Sequence, residues 1–136
     1  MKKVAVGIIL QKGTVLLCRR KPDVPYPLKW EFPGGKAEDG EEIEDCLRRE
    51  LHEELGITAQ VASLFHKKQY DYPDSGSFDV FYYIISSYGG MLLNRSFVSY
   101  EWVPVQKLMT FDILEGNREV VKKLMNEYAR SVTEAH

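Results

Sequence analysis

Cysteine is scarce in this chain, with two in 136 residues, Cys18 and Cys46. They form no CxxC or Cys/His pattern, so zinc is unsupported and a cytosolic redox setting fits better than a disulfide framework. A basic surplus is also missing. Lys plus Arg is 18 against 20 for Asp plus Glu, a net charge of -2. Recognition of long nucleic acid usually needs a basic face, so that partner is not expected. A small nucleotide stays open, because a few Arg or Lys side chains and metal ions can hold it. No apolar run approaches the roughly 20 residues that cross a bilayer, and no membrane partner is expected. Met1-Lys2-Lys3-Val4-Ala5-Val6-Gly7 has too short an apolar stretch for a signal peptide and reads as a first strand. Internal repeats, low-complexity tracts and domain linkers are absent as well. What remains is a single cytoplasmic domain over 1–136, acting as a monomer or weak homodimer. Its 44% apolar and 28% charged residues suit a globular core.

The local patterns predict a mixed set of elements. Val4 to Leu10 is a nearly continuous apolar strand, Gln11-Lys12-Gly13 a tight turn, and Thr14 to Arg20 the return strand of a hairpin. Lys21 to Leu28 holds Pro22, Pro25 and Pro27 and must be a loop. Trp30-Glu31-Phe32 is extended. Glu41 to Leu55 is a helix, with Ile43, Leu47, Leu51 and Leu55 as its buried stripe and Gly56 as its stop. Thr58 to Tyr70, Phe78 to Ile85 and Val98 to Val103 read as strands, the second of them central. Tyr72 to Gly76 and Gly89-Gly90 read as turns. A last helix covers Asn117 to Ala129, and Ser131 to His136 should fray. Strands, one helix, more strands and one helix together imply an α/β fold, with helices packed on a mixed sheet.

The first helix is where the chemistry gathers. Between Glu38 and Glu54 there are nine acidic residues against two basic ones, Arg48 and Arg49. Most of these acids suit a solvated face, and those near the helix N-terminus are favoured there. Glu50, Glu53 and Glu54 are different. At about 100° per residue Glu50 and Glu54 sit about 40° apart, with Glu53 flanking them and Glu54 at the edge of the buried stripe. Like charges so placed repel, and partial burial raises the cost. Arg49 can serve one of them, Glu53 at i+4 being the natural choice, and not easily all three. A hard divalent cation resolves the conflict, since Mg2+ binds through one or two carboxylates, waters and substrate phosphates. Just ahead stands Phe32-Pro33-Gly34-Gly35-Lys36. Its glycine pair is either an ordinary turn or a close approach of backbone to metal or phosphate. Neither the P-loop nor the GxGxxG spacing is present.

Gly35, Glu41 and the run Arg49-Glu50-Leu51-His52-Glu53-Glu54-Leu55-Gly56-Ile57 match the Nudix box, GX5EX7REUXEEXGU with U a bulky aliphatic, at every defined position. The chain therefore resembles the Nudix hydrolases, and its order of elements resembles their α/β/α sandwich around a central mixed sheet. The resemblance implies that Glu50, Glu53 and Glu54 ligate Mg2+ or Mn2+, joined by a backbone carbonyl of Gly34 or Gly35. It implies that Arg49 orients the glutamates and that Glu41 supports the loop. The implied reaction is attack of water on a phosphorus of a nucleoside diphosphate linked to another group.

Outside the box the chain looks like the MutT-like branch, which hydrolyses 8-oxo-dGTP to the monophosphate and pyrophosphate. Ala5 to Ile9, Arg19-Arg20, Glu31 to Lys36, Tyr72-Pro73-Asp74 and Glu101-Trp102 carry that likeness, with Phe111 and Asn117 matching if two extra residues separate them. In that reading Arg20 clamps a phosphate. Phe32 packs on a base, Asp74 accepts from a base nitrogen and Asn117 meets a purine edge. The plain alternatives are a surface ion pair for Arg20, a core aromatic for Phe32, a turn cap for Asp74 and a helix N-cap for Asn117. One departure stands out. The loop glutamate discussed as general base in MutT-type enzymes has no counterpart in Leu93 to Tyr100. The base is then Glu50 or Glu54, or hydroxide on the metal alone. Rival substrates are cytidine nucleotides, ADP-ribose and dinucleoside polyphosphates. A non-catalytic nucleotide-binding module is the remaining rival, and the intact box speaks against it.

Overall fold

The computed structural model describes residues 2–73 and 76–135, with side chains through residue 128. Asp74 lies outside the described residues. The chain divides into two compact units, Met1–Ile9 with Pro33–Ser96 and Leu10–Phe32 with Phe97–His136.

The first unit is built on β1 (Lys2–Gln11), whose residues 5 to 9 are buried. β4 (Gly34–Lys36) pairs antiparallel with one edge of β1, through Ala5 with Gly35 and Val6 with Gly34. β6 (Gly76–Gly89) runs parallel on the other edge, and β5 (Thr58–Tyr72) pairs antiparallel with β6. The sheet is thus mixed and β6 is central, as its Phe, Tyr, Val and Ile content predicts. α1 (Ile43–Leu55) lies on it with Cys46, Leu47, Leu51 and Leu55 buried. Gly7 makes this packing close, since a Cβ there would lie 3.2 Å from Leu51 Cδ1 and 3.5 Å from Leu47 Cδ1. Each fully buried Leu contributes about 1.5–3 kcal/mol of burial energy. The helix starts two residues later than its periodicity suggests. Glu41 accepts from the Glu38 backbone N–H and so closes a turn rather than opening a helix. Ile43, expected in the buried stripe, is half-buried, and Cys46 is fully buried instead. Gly56 ends the helix at φ 70°, donating to His52 O.

The second unit is antiparallel. Lys12 and Gly13 take φ 51° and 77°, the two positive values of a two-residue hairpin turn. The hairpin is short, with only Leu10–Val15 and Gln11–Thr14 in register. From there β2 (Thr14–Arg19) pairs with β7 (Ser99–Pro104) and with β3 (Trp30–Glu31). The sequence suggests a longer hairpin because adjacent apolar strands look like natural partners. It does not show that β1 already has β4 and β6 on its edges. A 3-10 helix at Val105–Thr110 buries Val105 and Leu108, and another covers Glu115–Asn117. α2 (Arg118–Ala135) follows, with Val120, Val121 and Leu124 buried. Its backbone continues through the stretch where fraying is expected from Ser131. Neither 3-10 helix was foreseen, being too short for a period to show. The α/β class with a mixed sheet and packed helices holds. Among the described residues no helix is long and apolar enough to cross a membrane.

Candidate active site

Loop and helix meet in the first unit at two glycines. A Cβ on Gly34 would overlap the Ala5 carbonyl oxygen, and one on Gly35 would overlap the Glu50 carboxyl. Glycine is needed here for close approach, and the turn alternative is insufficient. The Gly34 N–H donates to Glu54 Oε1 at 3.2 Å. The Cys46 thiol donates to Gly35 O at 3.5 Å. Strand β4, helix α1 and the loop are thereby pinned together through the box residues themselves.

Arg49 organises the charges. Its Nε and Nη2 bind Glu41 at 2.9 and 3.0 Å, while Nη1 reaches Glu50 at 3.0 Å and Glu53 at 3.3 Å. Nη2 also donates to Lys36 O at 3.2 Å, and Glu38 stands at 3.9 Å. The expectation that Arg49 chiefly serves Glu53 needs correction. Its bidentate partner is Glu41, eight residues back and outside the helix, and Glu50 and Glu53 share the remaining nitrogen. The resemblance gives Glu41 a supporting role for the loop but does not name Arg49 as its partner. Helical spacing could not place it against Arg49, because Glu41 belongs to the preceding turn.

The ionisation equilibria follow this geometry. Hydrogen bonding from Arg49 pulls Glu41 down to about 2. Burial raises Glu50, against the pull of Arg49. Burial, together with the Glu41 charge, pushes the Cys46 thiol up to about 11. Its carboxylate neighbours hold Arg49 protonated well above its ordinary value. One guanidinium faces four carboxylates at 2.9 to 3.9 Å, which leaves a negative surplus even before Glu54 is counted. Among the described residues, however, no three His, Cys, Asp or Glu side chains stand in a ready metal-holding arrangement. Glu50 and Glu53 face Arg49 and Glu54 faces the Gly34 N–H. The donors are hard oxygens, the surplus is negative and the loop backbone is close. The residues therefore suit a hard divalent cation in chemistry, and their side chains would have to turn to hold it.

Of the residues expected to bind substrate, Arg20, Phe32 and Asn117 belong to the second unit. Arg20, in the second unit, donates Nη1 to both oxygens of Glu31 at 3.0 and 2.9 Å and Nε to Pro25 O at 2.8 Å. Burial raises the Glu31 pKa against the opposing effect of Arg20. Phe32 is 3% exposed and Asn117 6%. Asn117 closes the 3-10 turn just before α2, its N–H donating to Leu114 O. Trp30 meets Phe111 edge-on at 5.1 Å, and the Arg19 guanidinium lies over the Trp30 ring, 5.7 Å from its centroid.

A family model described as NUDIX domain matches residues 1–124. The chain belongs to the Nudix family. This Nudix hydrolase is similar to the 8-oxo-dGTP diphosphatase of Escherichia coli K12, at 37% identity over 91% of this chain and 98% of the relative. It is also similar to the nucleoside triphosphatase NudI of Klebsiella pneumoniae, at 32% identity over 86% and 91% of the two chains. Among solved structures it resembles the Escherichia coli ORF135 protein, with TM-score 0.86, 25% identity and coverage of 96% and 92%.

Proposed function

We propose that this Nudix hydrolase cleaves a nucleoside triphosphate to the monophosphate and pyrophosphate with Mg2+, that 8-oxo-dGTP is its substrate, and that Mn2+ can replace Mg2+. The observation that carries this reading is the likeness to the Escherichia coli 8-oxo-dGTP diphosphatase along 98% of that protein's length. The carboxylates of Glu50, Glu53 and Glu54, with a carbonyl of Gly34 or Gly35, would hold the metal. Bound there, it supplies charge neutralisation to phosphate oxygens and acidifies water. The protein's own part is positional and electrostatic. Arg49 fixes Glu41, Glu50 and Glu53 in one network, and the Gly34 N–H fixes Glu54. Burial raises the Glu50 pKa, which makes its carboxylate a stronger proton acceptor for the attacking water. On the substrate side, Asn117 offers a purine edge a donor and an acceptor, Phe32 packs against the base, Asp74 accepts from it and Arg20 takes a phosphate after exchanging its hold on Glu31. The protein works as one domain in the cytoplasm, as a monomer or weak homodimer, and its biological role is to clear oxidised nucleotide from the pool.

The NudI relative favours a second reading, a triphosphatase of another nucleotide. A hydrolysis screen with Mg2+ over 8-oxo-dGTP, dGTP, CTP, ADP-ribose and diadenosine polyphosphates separates the two by kcat/KM. The expected order puts 8-oxo-dGTP first, and Glu54→Gln lowers its turnover about a hundredfold or more. If CTP leads, the substrate assignment is replaced. If Glu54→Gln hydrolyses normally, the metal site is wrong.

A further inference from the structure

Almost every described arginine side chain already has a partner. Arg19 donates to Leu28 O and lies over Trp30, Arg20 holds Glu31, and Arg48 pairs with Glu44 and Asp45. Arg49 serves the box carboxylates, and Arg118 pairs with Glu115. Arg95 is the exception. Among the described residues its guanidinium has no carboxylate, carbonyl or ring partner.

Its backbone, by contrast, is firmly held. The Arg95 N–H donates to Glu54 O at 2.9 Å, and the Leu93 N–H donates to Leu55 O at 2.8 Å. A helix end leaves such carbonyls without intrahelical partners, so this segment caps α1 from outside. The segment lies against Gly56, where a Cβ would stand in ordinary contact, 3.6 Å, with Arg95 Nη2 and with Leu93. The guanidinium therefore stands at the last turn of α1. Gly56 is only about 4.5 Å along the helix axis from Glu53. Among the described residues Arg95 makes no ion pair with Glu53, whose carboxylate turns toward Arg49. The stretch that lacks an acidic base thus brings an unpaired cation to the end of the helix that carries the box glutamates.

We propose that Arg95 is a substrate-binding residue, its guanidinium taking an oxygen of the nucleotide's polyphosphate. This rests on the triphosphate reading above. A planar fork of donors suits phosphate oxygens, and the two backbone bonds fix where it starts from. The bound polyphosphate carries more negative charge than one divalent ion offsets. With Arg49 committed to carboxylates, Arg95 is the arginine of this unit left to meet it.

The test uses Arg95→Ala and Arg95→Lys in the whole chain, with three readouts: hydrolysis kinetics, calorimetric binding of inorganic pyrophosphate with Mg2+, and Tm. Arg95→Ala is expected to raise KM and the pyrophosphate Kd about tenfold, with kcat changing less. Arg95→Lys recovers part of both, and Tm in Arg95→Ala falls by no more than the few degrees that losing a cation near a helix C-terminus costs. Unchanged KM and pyrophosphate affinity in Arg95→Ala overturn the proposal. A lowered Tm with unchanged pyrophosphate affinity marks a purely structural cap and overturns it too. If the unmutated protein hydrolyses no triphosphate, yet pyrophosphate binding still weakens in Arg95→Ala, the functional reading fails while this one stands.

Discussion

At the scale of single residues, the site is a balance of charges around Arg49. Glu41 is the partner whose ionisation folding favours most clearly, held down to about 2 from an ordinary value of 4.5. A depressed carboxylate stabilises the fold above its unfolded pKa and loses that contribution as the pH falls through its folded one. Urea unfolding followed against pH should therefore show stability falling between about pH 4.5 and 2, and Glu41→Gln should flatten that limb and lower stability at neutral pH. An unchanged acid limb would mean the Glu41–Arg49 contact contributes little in solution. Glu50 has the opposite sign. Burial raises its pKa, so its ionisation costs stability as the pH rises through its folded value. The sequence showed which carboxylates are crowded. It did not show that Arg49 reaches forward to Glu50 and Glu53 and back to Glu41 at once, because that requires the turn at Glu38–Glu41 to fold over the helix.

At the scale of elements, the loop strand β4 and helix α1 act as one piece, and Gly35 is the joint. Gly35→Ala would drive a Cβ into the Glu50 carboxyl. That displacement should lower kcat/KM about a hundredfold, since misplacing a catalytic group by about 1 Å costs that much. Gly89→Ala is the matched control, because a Cβ there meets only Thr58 at 4.0 Å, and it should keep normal activity. Equal activity in both variants would show that Glu50 has room to move without consequence. The helix, its stop at Gly56 and the central strand β6 were legible from apolar spacing and residue type. β4 was not. Gly34-Gly35-Lys36 has no strand propensity, and it is extended because β1 offers an open edge for it to pair with.

At the scale of the whole molecule, binding and stability are linked. If the box carboxylates hold a divalent ion with nucleotide, then Mg2+ plus the monophosphate product should raise Tm by several degrees. Ligand at a hundredfold its Kd adds about 2.7 kcal/mol to the folded state. A chelator should return Tm to its starting value, and scanning calorimetry reads both steps. A Tm indifferent to Mg2+, nucleotide and chelator alike would remove the metal site. The sequence alone determined the family, through the fixed spacing from Gly35 to Ile57, and the element types, through local periodicity. Both are properties of near neighbours along the chain, which is why they can be read without coordinates. Tertiary structure decided the rest: Glu41 as the main partner of Arg49, Cys46 beneath Gly35, the short hairpin, and Arg95 beside the end of α1. Each of these joins residues that local periodicity does not relate, and such contacts exist only after the backbone has satisfied its own hydrogen bonds on the way to the fold.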